Sequence, residues 1–490
     1  MTETTASQAP GSTVEHPWRS LAALCIGFFM ILVDMTIVTV ATPDIMRDLE
    51  ASTNDVLWVT SAYLLTYAVP VLIMGRLGDR FGPKWLYLGG LAIFTLASLW
   101  CGLADDITML IIARAVQGVG ASMMTPQTMA VITRIFPADR RGAAMALWGA
   151  TAGIATLVGP ILGGVLVDLG GWEWIFFINI PVGVVALVLN WRLVPLLPTH
   201  PHVFDWLGVA LSGIGMFGLV FGLQDGEQRG WDGLIWALVI GGVAVLGLFV
   251  LWEARNKQEP LLPLGLFGDR NFSVANIAIT CMGMAATTMG FPLMLYAQIV
   301  RGYDALEASL LMVPMAAVSL VLAPVVGRIN DKVHPRWLTS FGFFCCAVAI
   351  FWLTGPMTPG SAVWELLVPM GLLGLGMAFV WAPLAAAATR NLPPLQAGAG
   401  SGVYNATRTV GSVVGSAAIA VLMDARITAN GLDASAETAG GAGAQLPAEV
   451  AERFSQAMAE ATLLPAVALA VGFVAVLFFT TPRHLVKPPA

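Results

Sequence analysis

Long apolar stretches alternate with short charged or Gly/Pro-rich ones along the whole chain. Apolar runs recur from Leu21 to Phe479, each reaching the roughly 18–20 residues that a helix needs to cross a bilayer. The breaks predict about fourteen helices, at 19–41, 56–76, 85–104, 107–133, 141–167, 174–194, 204–224, 234–254, 271–297, 307–327, 336–354, 362–387, 398–423 and 461–481. In lipid only helices and closed barrels satisfy every backbone polar group, and these runs are too long for strands. The expected fold class is an all-α polytopic membrane protein.

Composition sharpens this picture. Of 490 residues, 57% are hydrophobic and 11% charged, where a soluble domain carries about 25% charged residues. The net charge of −6 says less than where the charges lie. With a cytoplasmic N-terminus, the outer loops hold five basic residues, Arg47, Arg229, Arg301, Arg426 and Arg453. Arg114 and Arg408 fall inside spans, and the remaining 17 of the 24 lie in cytoplasmic segments. This bias predicts both termini in the cytoplasm and an even number of spans. The first apolar run is too long for a cleaved signal and carries Asp34, so it reads as a retained helix. Cys25, Cys101, Cys281, Cys345 and Cys346 all lie in apolar spans without metal-ligand spacing and read as packing residues.

The organisation follows from these breaks. Residues 1–18 form a cytoplasmic tail and 19–194 a six-helix bundle. Residues 195–260 hold a Pro/His-rich linker (195–203) and two helices, 204–224 and 234–254, that carry no motif and read as an insertion. Residues 261–482 form a second six-helix bundle with an outer Ala/Gly-rich loop at 424–460, predicted to be loosely ordered with one short helix near 447–459. Residues 483–490 are a second cytoplasmic tail.

Four features carry chemistry. Asp34 is the deepest acid, mid-span in Leu32-Val33-Asp34-Met35-Thr36. A carboxylate there costs about 2.5–3.5 kcal/mol on insertion scales, so it must face a cavity or a partner. An acid so placed suits a proton carrier; the alternative is a permanently protonated acid making a helix-packing hydrogen bond. Arg114 cannot shed its charge and needs water, an acid or carbonyls; Gln117 shares its helix face, and Gly118 and Gly120 admit a neighbour. The run from Gly153 through Gly159, Pro160, Gly163 and Gly164 offers a small-residue face and a helix bend. The charged, glycine-rich stretch Gly75-Arg76-Leu77-Gly78-Asp79-Arg80-Phe81-Gly82-Pro83-Lys84 reads as a loop between two spans. A degraded copy, Gly327-Arg328-Ile329-Asn330-Asp331-Lys332, follows far downstream. Two copies imply two related halves with a substrate path between them.

The Gly75 stretch closely resembles the signature loop between helices 2 and 3 of the major facilitator superfamily. Asp34 with Thr36, the Arg114-Gln117-Gly118 helix and the Gly153–Gly164 run follow in the order expected there, and the Gly-Pro run resembles the antiporter signature. Trp172-Glu173-Trp174 through Asn179-Ile180-Pro181-Val182-Gly183 and Asn405-Ala406-Thr407-Arg408 resemble its fourteen-span drug:proton antiporter branch. Glu173, where that branch usually has a basic residue, and Thr42 in Ala41-Thr42-Pro43 depart from the pattern.

The resemblance implies two six-helix bundles plus two central helices, moving by alternating access. It implies that Asp34 and Arg114 couple protons. It implies that Asp79 caps or pairs at the inner face and latches the halves outward-facing. Arg76, Arg80, Arg140 and Arg141 would complete that cluster, with Asp331 and Lys332 as a weaker counterpart. Aromatic, polar and flexible residues on central helices are the cavity candidates: Tyr63, Tyr67, Gln117, Trp148, Asn276, Met284, Gln298, Phe379, Trp381, Asn405 and Arg408. Core or lipid-facing packing is the competing role for each of them. Trp231 reads as part of the interfacial aromatic belt.

The expected function is proton-coupled export of lipophilic, often cationic, small molecules across the inner membrane. Lipid or amphiphilic natural-product export on the same fold is the first alternative, and a non-transporting receptor or assembly factor the second. No phosphate-cradling Gly-x-x-x-x-Gly-Lys-Ser/Thr loop and no paired His is found. Enzymatic chemistry is not expected. No cofactor or metal is expected, and a proton gradient would supply the energy. The expected partners are the substrate, protons and membrane lipids, with no nucleic acid, around a monomer.

Overall fold

A computed structural model describes residues 16–481 except 52, 138–139, 200–204, 227–228, 257–259, 304, 394–395 and 433–446. Some side chains within helices, Pro160 among them, also lie outside the described set. The helices are α1 (Pro17–Asp48), α2 (Thr53–Ala68), α3 (Val71–Phe81), α4 (Pro83–Gly102), α5 (Ile107–Ile135), α6 (Arg141–Gly170), α7 (Trp174–Phe177) and α8 (Asn179–Leu193). They continue with α9 (Trp206–Asp225), α10 (Gly233–Arg255), α11 (Arg270–Thr288), α12 (Gly290–Leu295), α13 (Ala305–Leu310), α14 (Val313–Asn330), α15 (Pro335–Leu353), α16 (Val363–Thr389) and α17 (Ala397–Ala429). The last two are α18 (Ala448–Ala461) and α19 (Leu463–Val476). Among the described residues, twelve helices are long and apolar enough to cross a membrane, or thirteen if the bent pair α2–α3 is one span.

Helices α1, α2, α4, α5, α6 and α8 pack on one another, as do α11, α14, α15, α16, α17 and α19. The two groups meet along two seams, α3 and α5 against α17, and α6 against α14 and α16. Helices α9 and α10 form a hairpin whose α9 face (Met216, Val220) packs on Leu65 and Ala68 of α2 and Val413 of α17. Phe249 of α10 joins Val71, Leu72 and Phe272 in a second cluster there. Its opposite face exposes Trp236, Ile240, Val243 and Leu251, as expected of a helix facing lipid.

Three features of the sequence fold otherwise than its pattern suggests. The second predicted span breaks at residues 69–70, and α3 leaves at 46° to the preceding segment. Pro70, which has no amide hydrogen, stands at the break. The Gly75 stretch is therefore helical through Phe81, and the turn comes only at Gly82, whose φ of 93° favours glycine. The predicted outer loop also shrinks: α17 runs on to Ala429 and α18 begins at Ala448. The short helix predicted near 447–459 is α18, and the predicted loose segment falls on 433–446, outside the described residues.

Candidate functional site

The first site lies inside the N-terminal helix group. Asp34 of α1 and Arg114 of α5 are 0% and 1% exposed, and Arg114 Nη1 donates to Asp34 Oδ2 at 2.6 Å. The other carboxylate oxygen accepts from Gln117 Nε2 and Asn179 Nδ2, both at 2.9 Å. Both amides also donate to Ser98 Oγ, at 2.6 and 3.2 Å. Arg114 further donates to Gln117 Oε1 at 2.5 Å and to the Val59 carbonyl at 3.2 Å. Its guanidinium lies 4.2 Å from the centre of the Tyr63 ring, a cation–π contact. Five helices, α1, α2, α4, α5 and α8, thus meet in one network around this carboxylate. Sequence reading found Asp34, Arg114 and Gln117 and gave no role to Ser98 or Asn179. Those two come from distant segments, and only their convergence gives them a role.

This arrangement holds the Asp34 carboxyl as an acceptor at both oxygens. Asp34 accepts three hydrogen bonds, two of them from amides that cannot accept in return with the same atom. Adding a proton turns an accepting oxygen into a donor facing donors, so part of the network must rearrange. Burial makes each mismatch costly.

A contact route leads from this acid to the other helix group. The Tyr63 ring stacks parallel to Tyr67 with centroids 6.3 Å apart, and Arg408 Nη2 of α17 donates to the Tyr67 hydroxyl at 3.1 Å. Removing that hydroxyl with Tyr67→Phe should loosen the link to α17 at a cost of about 0.5–1.5 kcal/mol. A double-mutant cycle with Arg408→Gln on transport rate should show non-additivity, and simple additivity would show that the contact carries no coupling.

The second site is a pair of carboxylates at the end of the molecule where α3 and α14 stop. Asp79 of α3 accepts from the amides of Gly398 and Ala399 at 2.9 and 2.8 Å, the first turn of α17. Asp331, just past α14, accepts from Gly142 and Ala143 at 2.9 and 3.3 Å, the first turn of α6. Each half thus caps a helix of the other, where free amides and the helix dipole favour an anion. Each acid also holds an arginine from the end of a neighbouring helix: Arg134 pairs with Asp79, and Arg390 Nη2 lies 3.0 Å from Asp331 Oδ1. Burial pushes the Asp331 carboxyl above its ordinary pKa; the two amides and Arg390 act against that.

Arg141 ties this end together. It donates to the carbonyls of Phe136 and Thr133 at 3.0 and 2.6 Å and to those of Thr389 and Arg390 at 2.7 and 3.1 Å. One side chain thereby bridges the ends of α5 and α16. Of the predicted cluster, Asp79, Arg141 and Asp331 take these roles. Arg76 is buried beside Asp79 with no hydrogen bond among the described residues, and Arg80 lies over the Phe81 ring. Arg140 and Lys332 point to the exposed surface and do not join. The arginines missed were Arg134 and Arg390, which look in sequence like ordinary charges at span ends.

Glycines let the seams close. A β-carbon at Gly75 would lie 2.5 Å from the Gly398 carbonyl oxygen and 2.8 Å from the Gly402 Cα. Gly75→Val should therefore hold α3 off α17. At an overpacking cost of about 1–3 kcal/mol, transport should fall about tenfold, with the variant still inserted and folded by detergent-exclusion chromatography. Unchanged transport would mean that this seam does not need to close. In the α6 run, Gly159 packs on Thr36 of α1, while Gly153 and Gly164 face open space. Gly163 is buried, and the side chain of Pro160 lies outside the described residues.

Several cavity candidates make contacts within the helix framework. Asn276 donates to Phe272 and accepts from Thr407, fastening α11 to α17. Trp148 stacks on Phe28 at 4.8 Å, and Asn405 donates along its own helix to Ser401. Phe379 packs edge-on to the outward-facing Phe341, and Gln298 is exposed. Met284 and Trp381 are half-buried, Met284 under Gly415 of α17 and Trp381 beside Gly149 of α6. Tyr63, Tyr67, Gln117 and Arg408 fall on the buried acid and its route to α17.

Comparison with known proteins identifies the family. The Major Facilitator Superfamily model matches residues 24–416. An uncharacterised transporter of the superfamily from Mycobacterium tuberculosis is 52% identical over 98% of this chain and 83% of its own length. The tetracenomycin C resistance and export protein of Streptomyces glaucescens is 33% identical over 84% of this chain and 77% of its own. The probable multidrug resistance protein EmrY of Escherichia coli is 32% identical over 85% and 81%. In fold, the crystal structure of the human organic anion transporter MFSD10 superposes with a TM-score of 0.64 over 92% of this chain and 99% of that one, at 13% identity. This chain is a transporter, not an enzyme, and it belongs to the major facilitator superfamily, among relatives of its multidrug branch.

Proposed function

We propose that the protein exports lipophilic small molecules in exchange for protons by alternating access. The observation that carries this reading is the buried Asp34 carboxylate, held by Arg114, Gln117 and Asn179 and linked through Tyr63 and Tyr67 to Arg408. A proton on Asp34 disturbs its bonds from α5 and α8, whose donors also bond Ser98 of α4 and Val59 of α2, and so bears on helix packing. Release of the proton restores the three accepted bonds. The capped end, with Asp79, Asp331 and Arg141 closed, is the cytoplasmic gate in this reading, and the structure corresponds to the outward-facing form.

The basic-residue bias supports termini in the cytoplasm. The twelve long helices, the bent pair α2–α3 and the 30-residue α6 together support fourteen spans, arranged as two six-helix bundles around the α9–α10 hairpin. The domain bounds at 19–194, 195–260 and 261–482 follow from it. Relatives named for multidrug resistance and for tetracenomycin C export support drug or antibiotic substrates, and the latter also favours amphiphilic natural products as the second class. We place the protein as a monomer in the cytoplasmic membrane, with the proton gradient in place of a cofactor.

Ethidium efflux from energised cells, with and without an uncoupler, tests this reading. Uncoupler-sensitive efflux from cells expressing the protein is expected. Efflux indifferent to the uncoupler would overturn proton coupling, and absence of efflux would move the substrate to the natural-product class.

A further inference from the structure

We infer that the α9–α10 hairpin contributes to a binding vestibule for lipophilic cations at the end of the molecule opposite the carboxylate caps. The inference rests on the export reading and names a site and a ligand charge for it. A cavity of about 390 Å³ opens there, bordered by Ser61 of α2, Gln224 of α9, Trp231 of the hairpin turn, Phe291 of α12, and Met423 and Asp424 of α17. Along α17 it begins roughly 27 Å from Ala399 and its cap at Asp79. The volume falls in the range of drug-sized pockets, about 300–1,000 Å³.

Its chemistry selects for positive charge on an apolar body. Asp424 is exposed at the wall and makes no ion pair among the described residues. Trp231 and Phe291 line the same cavity, and aromatic rings with a carboxylate in one lining favour a cation over a neutral molecule of the same shape. Met423 adds adaptable apolar surface.

Trp231 is also held in an unusual way. Its φ of 54° is left-handed, which a bulky residue rarely adopts. Its amide donates to the Gly226 carbonyl at 2.8 Å. A β-carbon at Gly226 would meet its ring at 2.8 Å, and Trp236 lies 5.6 Å away, centre to centre. The turn thus spends backbone strain to fix one indole at the cavity wall, as strained residues at binding sites do. A plain interfacial tryptophan needs no such conformation. The hairpin, without a motif in sequence, gains a role as one wall of this site.

The test is tetraphenylphosphonium binding to the purified, full-length protein in detergent by titration calorimetry, with Nile red as a neutral probe. Asp424→Asn and Trp231→Ala should each weaken tetraphenylphosphonium about tenfold. Asp424→Asn should leave Nile red unchanged, and Asp424→Glu should retain cation affinity, which separates charge from folding. Equal tetraphenylphosphonium affinity in wild type, Asp424→Asn and Trp231→Ala would overturn the site. A wild type that exports Nile red from cells yet binds no tetraphenylphosphonium would overturn it too, while leaving the export reading intact.

Discussion

Asp34→Asn should abolish uncoupler-sensitive export, at least about a hundredfold, while the protein still folds and inserts. Breaking a buried ion pair from one side ordinarily costs about 3–5 kcal/mol, because the remaining charge is stranded. Here Arg114 keeps the Gln117 side-chain oxygen, the Val59 carbonyl and the Tyr63 ring, so the stranded charge retains partners. Asparagine can accept from Arg114, but its amide would face the amides of Gln117 and Asn179, donor against donor. The variant should therefore resemble a form fixed without a titrating carboxyl. Arg114→Gln should do more harm to folding, since it leaves Asp34 ionised among neutral amides or forces it neutral. The comparison of ethidium efflux with membrane-inserted protein level separates these outcomes. Full efflux by Asp34→Asn would move the proton site elsewhere.

The second large effect is expected at the caps. Asp79→Asn combined with Asp331→Asn should open the capped end in most molecules. Each carboxylate accepts two first-turn amides from the other half and holds one arginine. An asparagine has one accepting oxygen and would turn its amide hydrogens against the second backbone amide. Hydrogen bonds to charged groups contribute about 1.5–3 kcal/mol, so losing both caps should shift the closed-to-open ratio by at least about a hundredfold. Asp79→Asn alone should act more strongly than Asp331→Asn, since Asp79 is the more buried of the two. Spin labels at Arg140→Cys and Lys332→Cys, both exposed and one in each half, report the distance across this gate. A longer distance in the double variant is expected. An unchanged distribution would show that Arg141 and the glycine seams hold the gate without the caps.

The sequence made the membrane helices legible because length and apolarity alone define a span. It also marked Asp34 and Arg114, since a charge in mid-span demands an explanation wherever it falls. The partners of those charges were not legible. Ser98 and Asn179 join the Asp34 network from helices far apart in the chain; Ser98 looks like any polar residue in a span, and the family-like stretch around Asn179 carried no role for it. At the gate, three basic residues stand close together at 134, 140 and 141. Which of them turns inward depends on how α6 starts, and Arg140 stays outside while Arg134 and Arg141 enter. The Gly75 stretch looked like a loop because glycines and charges usually break helices. Here Gly75 admits α17 and Gly78 admits Gln127 of α5 instead, and the helix survives. Cavity residues were hardest to pick. In lipid both faces of a helix are apolar, so periodicity does not separate the wall of a path from the surface of the protein. Gln298, exposed, and Phe379, packed against the outward-facing Phe341, show how little a residue's type says about which face it takes.

The most direct test of proton exchange at Asp34 uses proteoliposomes with a pH-sensitive dye inside and no imposed gradient. Adding ethidium outside should make the lumen of wild-type vesicles more alkaline, as protons leave in exchange, and Asp34→Asn vesicles should show no change. Ethidium uptake with no movement of protons, or alkalinisation by Asp34→Asn equal to wild type, would contradict the account.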